Sequence, residues 1–278
     1  MPTGVAVGVD LGGTRVRVVA SGPAGWSRRV QTRAPSLADL PGFLRRLWPQ
    51  WGLSRQDVDA LVVGAKGVWT AGERRRQERR LRGLARRIRV ISDAEAAVLG
   101  TRGDRTQVLV LAGTGSIVVG WDLERGRGRA GGLGPLLGDE GSAFWIGREW
   151  LRRSVGSSEG LGRARKLARS PHAVARIAAL APGVLRKARA GHRGAREIVA
   201  AAQRHLATLA RRVVRGLRLR EPVPVFWAGS LMANPAFRAG VWRTLRRQGV
   251  RTRVMVPARS PVSAAHAWAR QLAGGNRP

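Results

Sequence analysis

The chain has 278 residues, of which 51 are lysine or arginine and 17 are aspartate or glutamate, so its formal charge at pH 7 is +34. Apolar residues make up 44% of the chain, which excludes a fully disordered polycation, and the length suits one large or two modest cores. The absence of cysteine excludes disulfides, thiolate catalysis, iron–sulfur clusters and cysteine-bound zinc. No apolar run reaches the roughly 18 residues of a membrane span, and the first residues carry no basic signal-peptide start, so we expect a cytoplasmic protein with no membrane partner.

The first half predicts a hairpin followed by alternating helices and strands. Valines at 5, 7 and 9 and at 16, 18 and 19 flank a DLGGT turn, which indicates two strands joined by glycines. A third strand is expected at 26–32. A helix is expected at 36–48, with Ser36 as its N-cap, and buried strands at 60–65 and 88–92, the second followed by a small-residue helix. This order is typical of an α/β fold.

The pattern restarts near residue 107. The segment QVLVLAGTGSIVVGWD is again strand, glycine turn and strand. Further helices are expected at 142–153, 195–218 and 262–273, and further strands at 223–228 and 252–256. Two halves that each open with such a hairpin imply an internal repeat with a boundary near residue 100. A ligand would then bind in a cleft between the two halves.

The two glycine turns are candidate phosphate sites. Asp10 ends a strand beside the Gly12, Gly13, Thr14 turn, where a carboxylate can hold a hydrated Mg²⁺ and the glycines let phosphate oxygens approach the backbone. The turn formed by Gly113, Thr114, Gly115 and Ser116 repeats the device without the acid, as an anion-binding concavity. An ordinary hairpin turn would explain the glycines but not the acid.

Three further segments carry polar residues at element ends. Asp93 follows a strand, where it is either a helix N-cap or a general base. Asp139 and Glu140 lie in the glycine-rich segment 131–142, which either ends in a cap at Ser142 or binds sugar hydroxyls. The segment 228–237 follows an apolar strand, and its small residues form a tight turn that lets a flat ring lie close to the backbone.

In order along the chain, these segments resemble the BadF/BadG/BcrA/BcrD ATPases of the actin-like ATPase and sugar-kinase superfamily, and within them the eukaryotic-type N-acetylglucosamine kinases. DLGGTRVR and VLVLAGTGS are similar to the two phosphate motifs, SDAEAA to the catalytic segment and WAGSLMANPAF to the adenosine motif. GGLGPLLGDEGSAFWIGREWL is the most specific match. The resemblance implies two ribonuclease-H-like α/β domains with mixed sheets. The first would cover residues 1–100, joined by the C-terminal helix at 260–273, and the second residues 101–259.

The resemblance also implies ATP, Mg²⁺ and a sugar as ligands, and an activity that phosphorylates an amino sugar, N-acetylglucosamine or glucosamine, at the C6 hydroxyl. Asp93 would be the general base and Asp10 would position Mg²⁺. The phosphates would be held by Gly12, Gly13, Thr14, Gly113, Thr114, Gly115 and Ser116, and the adenosine by Gly229, Ser230 and Asn234. The sugar would meet Lys66, Asp93, Gly115, Asp139 and Glu140.

Departures from the pattern leave the acceptor open. Without cysteine, the resemblance does not extend to the dehydratase-activator branch or to kinases with a zinc motif. Lys66 and Trp69 replace small polar residues near the sugar, and Lys66 either meets an anionic group on the acceptor or extends its charged end into solvent. A kinase of another hexose derivative is therefore an alternative, and a homodimer is also open.

A nucleotide-dependent polyanion-binding ATPase is the other alternative, because the positive charge is concentrated. Only Lys66, Lys166 and Lys187 are lysines, and the substitution of arginine for lysine is typical of a GC-rich genome. Nine arginines and Glu78 lie within 74–89, and a second run covers 204–220. Two solvated helix faces explain these runs equally well, and few aromatic residues are interleaved to stack on bases. We therefore expect non-specific electrostatic binding rather than a specific nucleic acid partner.

Overall fold

The computed structural model describes residues 4–13, 15–65, 67–68, 70–99, 106–257 and 260–274, and only the backbone at residues 93, 94, 97 and 255–257. The chain divides into two compact units, Met1–Arg102 with Arg259–Pro278 (unit 1) and Gly103–Ala258 (unit 2). Each unit contains a mixed five-stranded sheet flanked by helices, which is the predicted fold class.

The elements are, in chain order, β1 (Val5–Leu11), β2 (Arg15–Ser21), β3 (Ser27–Arg33), α1 (Leu40–Gln50), β4 (Val58–Ala65), α2 (Ala71–Arg80), β5 (Arg87–Ser92), α3 (Asp93–Leu99), β6 (Thr106–Ala112), β7 (Ser116–Asp122), β8 (Gly126–Gly131), α4 (Gly134–Leu137), α5 (Ala143–Ser154), α6 (Ser158–Ala168), α7 (Ala173–Ala178), α8 (Ala181–Arg189), α9 (Arg193–Gly216), β9 (Val223–Ala228), α10 (Pro235–Arg247), β10 (Thr252–Pro257) and α11 (Pro261–Ala273). Among these helices, none combines the length and apolar character that a membrane span requires.

The sheet of unit 1 has the strand order β3-β2-β1-β4-β5. β2 is antiparallel to both β1 and β3, whereas β4 is parallel to both β1 and β5. The odd-numbered valines of β1 pack with the leucines of α1, because successive side chains of a strand point to opposite faces. On the other face α11 lies so close to β1 that a Cβ atom on Gly8 would collide with the backbone of His266. Glycine at position 8 therefore permits this helix to cover the strand.

Unit 2 repeats the same topology. Its order is β10-β9-β6-β7-β8, with β6-β7-β8 antiparallel and β6-β9-β10 parallel, so β6 takes the central place that β1 has in unit 1. The 24-residue helix α9 covers one face and buries an apolar stripe that includes Ile198, Leu206 and Val213. The internal repeat that the two hairpins predict is therefore confirmed.

The start of one expected helix is corrected by the structure, and further elements are added. The helix expected from Ser36 begins at Leu40 instead, because Ser36 forms a turn in which its Oγ accepts the N–H of Asp39 at 3.2 Å. Pro41 then occupies the first turn of the helix, a position in which its missing N–H costs nothing. The strand β8 and the helices α6 to α8 were not expected from the sequence.

Candidate functional site

In unit 1, one edge of the sheet gathers residues that lie far apart in the sequence. The parallel strands β1, β4 and β5 end at this edge, where Asp10 pairs with Gly64 and Gly64 pairs with Ile91. Asp10 and Ile91 are therefore two inter-strand spacings apart, or about 10 Å. Asp93 follows two residues after Ile91, as the first residue of α3. Asp10 and the backbone of Asp93 therefore share the carboxyl edge of the sheet, which is the usual ligand side of parallel strands.

The Asp10 carboxylate is buried and only 5% exposed. Burial raises its pKa, and the guanidinium of Arg17 opposes that effect by donating a hydrogen bond to Oδ2 at 2.9 Å. Arg17 lies opposite Asp10 in the antiparallel pair and also donates to Gln31 at 2.8 Å. Within the described residues the other oxygen, Oδ1, accepts no hydrogen bond. Asp10 thus keeps one carboxylate oxygen for a ligand.

Ser92, and not Asp93, is the N-cap of α3. The Ser92 Oγ accepts the N–H of Glu95 at 3.0 Å, and the Glu95 carboxylate accepts the N–H of Ser92 at 3.0 Å, which together form a capping box. Arg74 pairs with the same carboxylate at 3.0 Å. The N-cap interpretation of Asp93 is therefore wrong, because the preceding serine fills that role. The Asp93 side chain lies outside the described part of the chain.

The first glycine turn joins β1 to β2 by three residues. Gly12 donates its N–H to the carbonyl of Arg15 at 3.0 Å, which closes the turn. Gly13 is exposed, and a Cβ atom on it would meet nothing within 4 Å. Its N–H has no acceptor among the described residues and remains available to an anion. Thr14 and Lys66 lie outside the described residues.

The second glycine turn joins β6 to β7 at the equivalent position. Gly113 donates its N–H to the carbonyl of Gly115 at 2.9 Å. Thr114 is exposed, and in the described part of the chain neither its N–H nor that of Gly115 meets an acceptor. Consecutive free N–H groups of this kind form an anion-binding concavity. The glycine turn of each unit therefore presents at least one N–H group that meets no acceptor among the described residues.

The glycine-rich segment 131–142 braces this second turn. The Ser116 N–H donates to Oδ1 of Asp139 at 3.3 Å, and the Ser116 hydroxyl donates to the carbonyl of Glu140 at 2.8 Å. The first residues of α5 donate back, with the Ala143 N–H bound to the carbonyl of Gly113 at 2.8 Å. Ser142 caps α5 by accepting the N–H of Trp145 at 3.1 Å, which is the cap that the sequence offered as one of two alternatives.

The two acids of that segment differ in their surroundings. Asp139 is 4% exposed, has a positive φ of 59°, and lies against Gly115 so closely that a Cβ atom there would be 2.7 Å from Oδ2. Glu140 is partly exposed. Asp139 thus supports the turn from behind, while Glu140 is partly open to solvent. Contact of either acid with a sugar stays a prediction.

A third segment, 229–234, reaches the same end of β6. Leu231 and Met232 donate their N–H groups to the carbonyl of Ala112 at 3.0 and 3.3 Å. Gly229 has a φ of 94° and lies against the same carbonyl, where any side chain would collide. A Cβ atom on Gly113 would be 3.6 Å from the exposed Ser230 hydroxyl. The second glycine turn and the segment 229–234 are therefore neighbours in space.

The helix α10 begins at this segment and is held to it by an arginine. Asn234 caps α10, with Oδ1 accepting the N–H of Phe237 at 3.0 Å. Arg238 donates to the carbonyl of Met232 at 2.7 Å, and its Cζ lies 4.1 Å from the centre of the Trp227 ring. A guanidinium over an indole is attracted by the negative face of the ring. Arg238 therefore ties the segment 229–234 to the end of β9.

The BadF/BadG/BcrA/BcrD ATPase family model matches residues 7–266. The chain belongs to this family. It is 33% identical to the N-acetylmuramic acid/N-acetylglucosamine kinase of Clostridium acetobutylicum over 113 residues. The matched stretch is 40% of this chain and 37% of that kinase. Over 63 residues it is 43% identical to the N-acetyl-D-glucosamine kinase of Dictyostelium discoideum, 23% of this chain and 20% of that one. The chain thus matches well under two thirds of either relative's length.

A solved structure supports the fold over the whole chain. A Chromobacterium violaceum protein proposed to be an N-acetylglucosamine kinase superposes with a TM-score of 0.72, covering 95% of this chain and 98% of that one at 22% identity. At this identity the likeness concerns the fold alone. It agrees with the two mixed five-stranded sheets described above.

The donor set at Asp10 fits the Mg²⁺ that the sequence resemblance implies. Mg²⁺ prefers oxygen ligands and usually binds one or two carboxylates together with substrate phosphates. Asp10 offers one oxygen at the carboxyl edge of the sheet, and the exposed Gly13 follows it in the turn after β1. The described residues contain no cluster of three acids or histidines that would bind a metal without a substrate.

Sequence reasoning missed three residues that shape the candidate site. Arg17 could have been found, because its position opposite Asp10 follows from the hairpin register. Ser92 could have been found as well, because Ser-x-x-Glu is a capping-box signature. Arg238 gave no usable signal, because it is one of many arginines.

Proposed function

We propose that this chain is an ATP-dependent sugar kinase whose acceptor is an N-acetylated amino sugar or glucosamine. Family membership and the names of the two curated relatives support the reaction class. The observation that carries the proposal is the convergence at the end of β6, where the second glycine turn is bonded to the segment 131–142 and adjoins the segment 229–234. A nucleotide needs phosphate donors beside a surface for its base, and this convergence at the end of β6 supports such a site.

The two glycine turns would hold the phosphates of ATP. Phosphoryl transfer depends mainly on positioning and on compensating charge, so backbone N–H groups aimed at phosphate oxygens suffice as binding groups. The donors are the residues Gly12, Gly13 and Thr14 of the first turn and Gly113, Thr114, Gly115 and Ser116 of the second. Gly229 and Ser230 would line the adenosine, with Asn234 fixing the start of α10 beside them.

Asp93 would act as the general base that takes the proton of the C6 hydroxyl as it attacks the γ-phosphorus. Its place at the end of β5 supports this role, and Ser92 rather than Asp93 fills the N-cap position of α3. Asp10 would hold Mg²⁺, which compensates phosphate charge when bound. Arg17 orients the Asp10 carboxylate, and its ion pair opposes the rise in pKa that burial causes.

The acceptor would be recognised by Glu140, by Asp93 and by Lys66, with Gly115 and Asp139 shaping the turn behind them. Lys66 gives a reason to test an acidic acceptor, because one curated relative is named for N-acetylmuramic acid as well as N-acetylglucosamine. A kinase of another hexose derivative remains the alternative. A cytoplasmic location and a homodimer remain predictions from the sequence.

The test is sugar-dependent ADP release with Mg-ATP over a panel of N-acetylglucosamine, glucosamine, N-acetylmuramic acid and glucose. We expect release with at least one amino sugar above the rate without sugar. Turnover with glucose alone would favour the hexose alternative. No release with any sugar, from protein shown by calorimetry to bind ATP, would refute the proposed acceptor class.

A further inference from the structure

Two open grooves lie on either side of the C-terminal end of α2, within unit 1. The first has a volume of about 460 Å³ and is lined by Arg75, Arg79, Arg82 and Arg86. The second has a volume of about 570 Å³ and is lined by Arg45, Arg46 and Arg80. We call these seven residues the arginine grooves. All seven side chains are exposed.

The arginine grooves carry more positive than negative charge. Arg86 pairs with Asp59 at 3.5 Å, whereas the side chains of the other six form no ion pair or hydrogen bond within the described residues. Each groove contains one acid. Glu78 accepts the N–H of Val90 at 3.1 Å, and Asp39 accepts the hydroxyl of Ser36 at 2.6 Å. Neither acid is bound to an arginine, so an external anion meets six unpaired guanidinium groups.

The core does not explain why α2 carries these residues. None of its ten residues is buried, and its start is secured by a capping box between Thr70 and Glu73. Arg79 and Arg80 in the last turn are stabilising at a helix C-terminus, but Arg75 in the middle and Arg45 and Arg46 on α1 gain nothing from that effect. The charge of these exposed guanidinium groups complements that of a polyanion.

We propose that the arginine grooves bind the phosphate backbone of double-stranded nucleic acid, independently of its sequence and of the kinase site. Arginine is the common phosphate ligand because its planar fork matches two phosphate oxygens. Neither groove is lined by an aromatic residue, so the stacking that single-strand binding uses is absent from both linings.

An anionic membrane surface fits these grooves less well. Surface helices that bind membranes carry large apolar residues beside their basic face. The exposed large apolar residues of the described chain lie elsewhere, and none falls within 38–46 or 75–89. Backbone phosphates of a duplex require no such residues, which favours nucleic acid over lipid.

The size of the effect follows from counterion release. Each phosphate neutralised contributes about 0.9 to the slope of log K against log salt. If each groove supplies three contacts, the removal of one groove lowers the slope by roughly 2.7 units.

The test compares three triple variants that each lower the charge by three, from +34 to +31. Two remove the grooves, Arg75→Gln/Arg79→Gln/Arg82→Gln and Arg45→Gln/Arg46→Gln/Arg80→Gln. The control, Arg204→Gln/Arg212→Gln/Arg215→Gln, removes three exposed arginines from α9 in unit 2 that also form no ion pair among the described residues. Glutamine keeps the helix propensity of arginine, and thermal unfolding checks that all three variants are folded.

Binding of a fluorescent DNA duplex and of an RNA duplex of equal length is followed by anisotropy between about 50 and 200 mM salt. We expect both groove variants to lose at least tenfold in affinity near physiological salt and two to three units of salt slope. The α9 variant should change less than twofold. Equal losses in all three variants would show that only net charge matters and would overturn the proposal. Equal or tighter binding of the wild type to anionic vesicles would overturn it in favour of a membrane.

Discussion

The substitution Gly115→Ala tests whether the second glycine turn is braced by Asp139. A Cβ atom at position 115 would lie 2.7 Å from Oδ2, 3.0 Å from Cγ and 3.1 Å from Oδ1 of Asp139. Asp139 is buried and accepts the Ser116 N–H, so it cannot move away without losing that bond. Overpacking of this kind costs about 1 to 3 kcal/mol. For a domain of about 150 residues this corresponds to a fall in melting temperature of roughly 2 to 12 °C.

The matched control is Gly113→Ala in the same turn. There a Cβ atom would meet Ser230 at 3.6 and 3.7 Å, which is ordinary van der Waals contact, so we expect a stability change of about 0.5 kcal/mol or less. Thermal and denaturant unfolding measure both variants, and calorimetry measures their ATP affinity. Gly115→Ala should also weaken ATP binding, because the turn presents its N–H groups from this backbone.

A double-mutant cycle identifies the cause. Asp139→Gly removes the carboxylate and suits the positive φ of 59° at that position. In this background Gly115→Ala should cost little, so the coupling energy should be about 1 to 3 kcal/mol. If Gly115→Ala destabilises both backgrounds equally, Asp139 is not the obstacle and the bracing argument fails.

Three other predictions concern single residues. Burial raises the pKa of Asp10 in the folded state, so the ionised carboxylate lowers the folding stability above that pKa, and this cost disappears as the pH falls below it. Asp10→Asn should therefore be at least as stable as the wild type at pH 7, while it loses turnover. A fall of more than about 1 kcal/mol in its free energy of unfolding would contradict this. Ser92→Ala should cost about 0.5 to 2 kcal/mol in denaturant unfolding because Glu95 loses its capping partner, and Ser92→Thr should restore most of it. Arg238→Gln should lose about 0.5 to 1 kcal/mol of interaction with Trp227. The KM for ATP should rise two- to fivefold at unchanged kcat. A two- to fivefold fall in kcat would count against a positioning role.

The repeat and its glycine turns could be predicted because local sequence determines them. Alternating valines before and after a glycine turn specify a hairpin whatever lies around it, and the same signal at Gly12 and Gly113 gives the repeat. The cap at Ser142 was equally local, since its acceptor oxygen and its donor at Trp145 are three residues apart.

Features that depend on distant partners could not be predicted in this way. The sequence GRGRAG of β8 contains no β-branched residue, and it becomes a strand because it pairs with β7. The glycine at 128 makes room for Leu217, the residue that follows α9, because a Cβ atom there would be 2.9 Å from the Leu217 side chain. The burial of Asp139 behind Gly115 likewise depends on two segments that meet only in the fold.

The measurement that tests the central claim most directly is identification of the product by phosphorus NMR after incubation with Mg-ATP and N-acetylglucosamine. We predict a sugar 6-phosphate formed in equal amount with ADP, and a rate lower by about 10² to 10⁴ in Asp93→Asn, which removes the general base but keeps the shape of the side chain. ADP formed together with free phosphate and no sugar phosphate, or turnover retained in the variant, would contradict it.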